Sequence, residues 1–246
     1  MFLRIIIIGL IFFLQFNIYS LNNKNKYDSN FNEKLNKALE HAQTHKSFSV
    51  QFNQEFYSIL RDKITKSEGI LKIQTPNSWS YELQKPRTEL YMSNGVDFWK
   101  YVPDLKHAQH LNVSQHGNSL ELNYMSLLIN PENIKKVYKI SNWSNADAKM
   151  LNESGSLAPV QSDFPPAESA DTVSIKLESN LGEKGDKQQK VLYAVINVRT
   201  GYLDELRVVQ LNGNRVRLLF SNDKEEDFNA KTFSFVPPTG IVVDKN

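Results

Sequence analysis

Residues 47–60 read Ser-Phe-Ser-Val-Gln-Phe-Asn-Gln-Glu-Phe-Tyr-Ser-Ile-Leu and change the periodicity of the chain. Phe48, Val50 and Phe52 alternate with polar residues, which is the pattern of a β-strand that has one dry face and one wet face. The segment before it has helical periodicity, and the segments after it repeat the alternation for most of the chain. The sequence therefore predicts a mainly β protein of the α+β type.

The alternating segments follow one another with tight-turn sequences between them. Asn94-Gly95, Thr200-Gly201 and Asn212-Gly213 tolerate the positive φ that such turns require. Sequential strands joined in this way indicate one strongly curved antiparallel sheet of about eleven strands. We predict strands near residues 47–60, 67–74, 78–84, 88–93, 97–102, 107–114, 135–142, 172–180, 190–198, 203–211, 215–222 and 231–236.

Two segments have helical spacing. The first follows Asn30, which is available as an N-cap, and the second is the run 120–130, which Pro131 ends. Both helices are available to cover the open side of the curved sheet. The apolar positions that define them are Phe31, Leu35, Ala38, Leu39 and Ala42 in the first helix and Leu122, Met125, Leu128 and Ile129 in the second.

The N-terminal residues have the pattern of a secretory signal peptide. Arg4 precedes a short apolar run, which is about half as long as a bilayer core requires, and a polar exit follows. We therefore assign residues 1–20 to a cleaved signal peptide and residues 21–246 to one exported, soluble domain. Residues 143–171 have no periodicity and are rich in Ser, Asn, Asp, Ala and Pro, so they are predicted to form a long surface insertion.

The composition excludes several classes of site. The chain has no cysteine, so it forms no disulfide, no thiolate metal site and no thiol nucleophile. It also lacks the residue that receives the lipid of a bacterial lipoprotein. The net charge of +2 provides no basic field for nucleic acid, and no run of basic residues predicts an anionic lipid surface as partner.

Two sets of residues allow an enzymatic or metal-binding interpretation. Ser221 and Lys224 have the spacing of a serine–lysine pair, but no partner motif accompanies them. His107, His110 and His116 are close in sequence, but alternation places the first two on opposite faces of a strand, which is poor geometry for one zinc ion. We therefore predict that the protein is not an enzyme and has no metal site and no cofactor.

Large apolar and aromatic residues exceed what two helices can cover. They alternate along three successive predicted strands: Trp79, Tyr81 and Leu83, then Leu90 and Met92, then Trp99 and Tyr101. An ordinary core is one interpretation of these residues. The other is a cavity wall, because a curved sheet whose concave side is too apolar for water and too wide to collapse is a lipid site.

Five fragments, in this order, resemble the periplasmic lipoprotein carrier family LolA. They extend from the end of the first helix to the C-terminal region. The fragments are FSVQFNQ at 48–54, EGIL at 68–71, TPNSWSY at 75–81, SNGVDFWKYVP at 93–103 and FSFVPPTGIVVD at 233–244. The sister receptor of the outer membrane is similar in fold but is lipidated, so the absence of cysteine favours the soluble carrier.

The resemblance implies an incomplete antiparallel β-barrel with a helical lid over an apolar cavity. It also implies a monomeric periplasmic chaperone that binds lipoprotein acyl chains and shuttles lipoproteins from the inner to the outer membrane. Its expected partners are an inner-membrane ABC-type lipoprotein-releasing complex and an outer-membrane lipoprotein receptor. The alternative is a periplasmic carrier or sensor of free lipids or other amphiphiles that has the same fold.

The resemblance also implies cavity and lid residues. Well-known members of the family latch the lid with an arginine just before the Pro-Asn string, where this chain has Thr75. We therefore expect a different or weaker latch. The predicted cavity residues are Phe48, Val50, Phe52, Leu71, Ile73, Trp79, Tyr81, Leu83, Leu90, Met92, Trp99 and Tyr101, and the predicted lid residues are Leu35, Leu39, Met125, Leu127, Leu128 and Ile129.

Overall fold

The computed structural model describes residues 29–113, 134–147, 164–167, 169–179, 189–210 and 212–245. The predicted signal peptide at 1–20 and the predicted second helix at 120–130 lie outside these ranges. So do His116 and four predicted lid residues, Met125, Leu127, Leu128 and Ile129. Within the described ranges, no helix combines the length and the apolarity that a membrane span needs.

Twelve strands form one sheet within the described residues, in the order β12-β6-β5-β4-β3-β2-β1-β11-β10-β9-β8-β7. Neighbouring strands are antiparallel, except that β12 and β6 are parallel. β12 and β7 lie at the two edges and do not pair, so the mainly β fold with an incomplete barrel is confirmed. The strands are β1 (Ser47–Ser58), β2 (Lys63–Gln74), β3 (Ser78–Lys85), β4 (Glu89–Ser93), β5 (Asp97–Val102), β6 (His107–Asn112), β7 (Tyr138–Asn142), β8 (Thr172–Ser179), β9 (Gln189–Asn197), β10 (Leu203–Gln210), β11 (Arg215–Glu225) and β12 (Val242–Lys245).

The described helices are few and short. α1 spans residues 29–42 and confirms the first predicted helix. α2 is a single turn, Ile134–Val137, immediately before β7. The 3-10 turn Pro103–Leu105 joins β5 to β6. A second 3-10 turn, Ala230–Phe233, follows β11. The three predicted hairpin turns are also confirmed, since the glycine of each has a positive φ.

The predicted strand at 231–236 is wrong. Its first residues form the 3-10 turn Ala230–Phe233, which the side chain of Asn229 caps. The strand near the C-terminus is β12 instead, and it pairs in parallel with β6. Parallel strands need a long connection rather than a hairpin, so no turn sequence announces this pair.

Two other predicted strands begin three or more residues away from the predicted start. The strand predicted at 135–142 begins only at Tyr138, because the residues before it form α2. β2 begins at Lys63, earlier than the predicted 67–74, because the β1–β2 ladder continues until Ser58 pairs with Lys63. The first hairpin is therefore longer than its apolar alternation indicates.

One side of the sheet, which we call the inner face, carries the main core. Phe48 pairs with Ile73, and Ile73 pairs with Trp79, so that the three side chains form a row across β1, β2 and β3. Leu35 and Leu39 of α1 belong to the same buried cluster, which continues over β8 to β11. Each such apolar side chain stabilises the fold by about 1.5–3 kcal/mol when it is fully buried.

Gly69 brings two strands of the inner face close together. A Cβ at this position would lie 2.0 Å from the carbonyl oxygen of Glu82 and 2.5 Å from Cζ of Phe52. The missing side chain leaves room for the Phe52 ring, which stacks on Tyr81 with the ring centroids 4.4 Å apart. The β2–β3 register also shifts next to Gly69, an irregularity that bends a strand.

The opposite side of the sheet, which we call the outer face, has a smaller buried cluster. Trp143 packs against Tyr193 with the ring centroids 4.7 Å apart, and the guanidinium carbon of Arg207 lies 4.4 Å from the centroid of the Trp143 ring. The prediction of a surface insertion at 143–171 is therefore wrong at its N-terminal end. Trp143 is 3% exposed and Asp147 is 7% exposed.

Candidate functional site

An apolar pocket lies between α1 and the inner face. Together with its open mouth it measures about 720 Å³. Apart from His45, Gly201 and Tyr202, every residue that lines it is aliphatic or phenylalanine. The lining residues are Leu39, Ala42, His45, Phe48, Val50, Ile134, Ile175, Leu177, Ala194, Ile196, Gly201, Tyr202, Leu203, Leu206 and Phe220.

The pocket is nearly filled by the protein itself. Its free interior is about 50 Å³, whereas sites for drug-sized ligands measure roughly 300–1,000 Å³. Leu35 and Leu39 of α1 are buried against the same core, at 4% and 6% exposure. The helix therefore covers apolar surface of the inner face.

Most of the predicted cavity residues lie on the inner face. Phe48 and Val50 line the pocket directly. The others belong to the core beside it, and Leu83 is only partly buried. Their contact with a ligand stays a prediction. The inner-face residues are Phe48, Val50, Phe52, Leu71, Ile73, Trp79, Tyr81 and Leu83.

The predicted cavity position is wrong for four residues, which lie on the outer face: Leu90, Met92, Trp99 and Tyr101. Tyr81 of the inner face pairs with Tyr91, so the residues on either side of Tyr91 in β4 point to the other face. Met92 in turn pairs with Trp99, which carries the same orientation into β5.

The C-terminal segment covers two of these outer-face residues, Trp99 and Tyr101. The ring centroid of Phe235 lies 5.2 Å from that of Trp99 and 5.1 Å from that of Tyr101. Phe233 is also buried, at 4% exposure. The aromatic residues on this side of β5 therefore pack within the chain.

The sheet side of the pocket is built largely from strands that the sequence interpretation did not assign to a cavity. Ile175 and Leu177 of β8, Ala194 of β9 and Leu206 of β10 line it. Ala194 pairs with both Ile175 and Leu206, so the three strands present one continuous surface. The alternation of apolar and polar residues along Thr172–Ser179 is the pattern that identifies such positions.

Two histidines hold the C-terminal end of α1 and the residues after it against the β9–β10 turn. His41 Nδ1 lies 2.9 Å from the carbonyl oxygen of Val198. His45 Nε2 lies 2.6 Å from the carbonyl oxygen of Thr200. We call these two contacts the histidine clasp.

His45 also contacts β11. Its Nδ1 lies 2.9 Å from Oε1 of Glu225, and its ring stacks on Tyr202 with the centroids 3.9 Å apart. Both ring nitrogens face acceptors, so both hydrogen bonds form together only when the ring carries two protons. Burial and the charges of Glu225 and Asp223 raise the pKa of Tyr202 to about 12, so its hydroxyl stays protonated at neutral pH.

Thr75 stands where the resemblance leads us to expect a latching arginine. Its N–H donates to the carbonyl oxygen of Lys46 at 2.8 Å, and its hydroxyl donates to the same oxygen at 3.3 Å. Lys46 belongs to the connection between α1 and β1. Thr75 therefore anchors that connection to the end of β2, whereas the histidine clasp holds the end of α1 and His45 against the β9–β10 turn.

The structure does not bring the proposed serine–lysine pair together. Ser221 pairs with Gln51 in the β1–β11 ladder. Nζ of Lys224 lies 3.7 Å from a carboxylate oxygen of Glu226. A lysine that activates a serine must instead lie within hydrogen-bond reach of its hydroxyl.

His107 and His110 each have a carboxylate of their own. His107 Nε2 lies 2.9 Å from Asp244, and His110 Nε2 lies 2.7 Å from Asp97. The hydrogen bond from His110 lowers the pKa of Asp97 below its usual range, and a hydrogen bond from Asn94 adds to the effect. In the part of the chain that the structure describes, no three His, Asp or Glu side chains are grouped to hold a metal ion.

A buried ionic cluster lies on the outer face of β10. Glu205 accepts hydrogen bonds from the guanidinium of Arg207 and, at 2.6 Å, from Nε of Arg217. Arg207 also donates to the carbonyl oxygen of Phe164 at 2.7 Å. Burial alone would raise the pKa of Glu205, but the two guanidinium groups outweigh it and hold the pKa below its usual range. The cluster ties β10, β11 and residue 164 together, so we interpret it as structural.

Acid should destabilise the fold through Glu205. Its pKa is lower in the folded than in the unfolded chain, so its stabilisation is fully present above the ordinary value of 4.5 and is lost as pH falls through the folded value. Glu205→Gln should lower the free energy of unfolding by about 3 kcal/mol at neutral pH and weaken its acid dependence. Urea denaturation at a series of pH values measures both effects.

The matched control is Glu40→Gln, which changes an exposed carboxylate of α1. We expect its stability to follow that of the unaltered chain at every pH. Parallel loss of stability in acid by the Glu205→Gln variant and the unaltered chain would show that other groups control the acid response.

Comparison with known proteins confirms the resemblance to LolA. Residues 43–155 match the family model described as outer membrane lipoprotein carrier protein LolA. The outer-membrane lipoprotein carrier protein of Proteus mirabilis (strain HI4320) is 23% identical over 198 residues, which are 80% of this chain and 81% of the relative. That of Vibrio cholerae serotype O1 (strain ATCC 39541) is 24% identical over 197 residues, 80% of this chain and 82% of the relative.

The LolA superfamily protein NE2245 from Nitrosomonas europaea superposes with a TM-score of 0.42 and 14% identity. The superposition covers 83% of this chain and 97% of that protein.

Proposed function

We propose that this chain, which resembles the outer-membrane lipoprotein carriers, binds lipoprotein acyl chains and moves lipoproteins through the periplasm from the inner to the outer membrane. The observation that carries the proposal is the apolar pocket between α1 and the inner face. A pocket lined almost entirely by hydrocarbon selects ligands that are themselves hydrocarbon. The names of the relatives supply the class of cargo.

A carrier of acyl chains must bury as much apolar surface as the bilayer does. Each methylene that leaves water is stabilised by about 0.8 kcal/mol, so a lipoprotein leaves a bilayer only for comparable apolar cover. The free interior of about 50 Å³ holds about two water molecules, so α1 has to move before an acyl chain can enter. When α1 moves, Leu35 and Leu39 become exposed to water while the acyl chain becomes buried. The two changes partly cancel, so the filled and empty states lie close in free energy.

The contacts of α1 favour an opening at its N-terminal half. The histidine clasp holds the other end, next to the connection at 43–46. The N-terminal half is held on its polar side by exposed hydrogen bonds, from Lys34 Nζ to Ser169 at 2.8 Å and from Lys135 Nζ to Asn36 at 2.8 Å. Water replaces such bonds at little net cost. The helix would therefore swing about its clasped end.

Transport needs a donor and an acceptor for the cargo. In this proposal an inner-membrane ABC-type lipoprotein-releasing complex loads the carrier and supplies the energy from ATP. An outer-membrane lipoprotein receptor then unloads it along a gradient of affinity. The modest free-energy difference between filled and empty carrier is what makes the second transfer possible.

A release assay tests the proposal. The exported chain, purified after removal of its signal peptide, is mixed with spheroplasts that make a labelled lipoprotein. We expect the label to appear in the soluble fraction as a one-to-one complex. Ala194→Trp, which fills the pocket, should abolish release, and Asn53→Trp, at an exposed outer-face position of β1, should leave it unchanged.

Circular dichroism establishes that both tryptophan variants are folded. If the Ala194→Trp variant releases as much lipoprotein as the unaltered chain, the pocket does not hold the acyl chains. If the unaltered chain releases no lipoprotein but carries free phospholipid from its host, the cargo is an amphiphile and the alternative function applies.

A further inference from the structure

The β1–β2 hairpin ends in a tip, residues 59–64, that presents apolar side chains to solvent. Leu60 is 92% exposed and Ile64 is 51% exposed. Leu60 has the highest exposure among the large hydrophobic residues that the structure describes. Isolated exposed leucines are common on protein surfaces, so the surroundings of Leu60 decide what its exposure means.

Hydrogen bonds hold the tip in a defined turn. The backbone N–H of Asp62 donates to the carbonyl oxygen of Ile59 at 3.3 Å, and the hydroxyl of Tyr57 donates to Asp62 at 2.8 Å. The side chain of Asn214, in the β10–β11 turn, accepts from the N–H of Ile59 at 3.1 Å. These bonds fix the backbone on both sides of Leu60, so its side chain is held away from the sheet.

Two cations follow the exposed leucine in the turn. Arg61 and Lys63 are both exposed, and no ion pair in the described part of the chain includes either of them. The one carboxylate of the tip, Asp62, already accepts the hydrogen bond from Tyr57. Lys66, further along β2, pairs with Glu55 at 3.1 Å. The chain has no polybasic run, but the turn places two cations beside an apolar side chain.

A groove adjoins the tip, between it and the β10–β11 turn. Including its open side, it measures about 980 Å³. Phe56 and Ile59 supply apolar surface in it, and Asn212 and Asn214 lie at the facing turn. The apolar surface therefore extends beyond the single side chain of Leu60.

We propose that the tip docks on the surface of a bilayer that contains anionic phospholipid. Leu60 enters the boundary between headgroups and acyl chains, and Arg61 and Lys63 contact lipid phosphates. Apolar insertion combined with positive charge is the arrangement by which proteins bind anionic bilayer surfaces. The inference goes beyond the proposed function, because it concerns the surface on which the protein rests and does not depend on what the pocket holds.

Vesicle flotation tests this site. The exported chain, without its signal peptide, is mixed with vesicles of equal parts phosphatidylglycerol and phosphatidylcholine, or of phosphatidylcholine alone. We expect binding to the anionic vesicles that falls with added salt and a much weaker binding to the neutral ones. Leu60→Asn should weaken the binding about tenfold. Arg61→Gln with Lys63→Gln should weaken it about fivefold for each charge.

The chain offers a matched control in Leu105, which is 71% exposed on the turn between β5 and β6 and is followed by Lys106. Leu105→Asn should bind as the unaltered chain does. Equal binding by the Leu60→Asn and Leu105→Asn variants, or no preference for anionic vesicles, would overturn the proposal. Ala194→Trp should leave vesicle binding intact, so failure of the tip and failure of the pocket are distinguished.

Discussion

A crosslink between positions 34 and 169 should abolish acyl-chain binding. Nζ of Lys34 donates to the carbonyl oxygen of Ser169 at 2.8 Å, and Ser169 lies just before β8. Lys34→Cys and Ser169→Cys, joined by a short thiol-reactive linker, would fix the N-terminal half of α1 to the residues before β8 and so keep Leu39 and Ala42 at the pocket. The open state then becomes inaccessible, so the affinity for a fluorescent fatty acid should fall about tenfold or more.

The absence of cysteine elsewhere in the chain makes this experiment specific. A linker that contains a disulfide lets a reducing agent restore binding in the same sample. The control crosslink joins Glu55→Cys to Lys66→Cys, which replace an ion pair of 3.1 Å between half-buried Glu55 of β1 and exposed Lys66 of β2. Undiminished binding by the protein crosslinked at 34 and 169 would mean that α1 does not gate the pocket.

Gly201→Val should destabilise the fold by about 3 kcal/mol, because it combines a strained backbone with a steric clash. Gly201 has φ +79°, and a Cβ there would lie 2.2 Å from the backbone nitrogen of Ala42 and 2.6 Å from the carbonyl carbon of His41. These are backbone atoms at the end of α1, and they cannot move without breaking the histidine clasp. The melting temperature should fall by roughly 10 °C.

Gly240→Val separates the two contributions. Gly240 has φ +83°, but no heavy atom lies within 4 Å of the point that a Cβ would occupy, so the substitution adds strain without a clash. We expect a loss of about 1 kcal/mol from thermal melts of this variant. Similar losses for both variants would show that the end of α1 yields easily and that the turn does not fix it.

The alternation along β1, β2 and β3 predicted the inner face there, because each of these strands has one clearly apolar side. β1 pairs with β2, and β2 pairs with β3, through short turns between neighbours in sequence, so pattern and pairing agree across these three strands. The apolar positions of α1 are also predictable, because helical spacing identifies the buried side of a helix without knowledge of its partner.

The alternation of β4 and β5 does not reveal which side faces inward. Glu89, Tyr91 and Ser93 occupy the inner face, and the more apolar residues lie on the outer one. Phe235 covers that outer face from a segment far along the chain. A pattern within one strand cannot contain this information, because it depends on pairing across the sheet and on a distant residue.

The pocket was only partly predictable for a related reason. The aromatic residues of β3, β4 and β5 lead to a predicted cavity on those strands, whereas much of the lining comes from aliphatic residues of β8 to β10. Those strands were predicted as strands, but their position opposite α1 follows from the pairing of β1 with β11. Such a pair joins the two halves of the chain, and no local feature specifies it.

The pairing of β12 with β6 has a consequence for biogenesis. β12 is synthesised long after β6, and in the proposed transport function the chain crosses the inner membrane from its N-terminus onward. Until β12 arrives, the backbone groups along one side of residues 107–110 lack the strand partner that β12 supplies, and such an open edge can pair with another chain. The newly made polypeptide is therefore prone to aggregation until Val242–Lys245 has paired with β6.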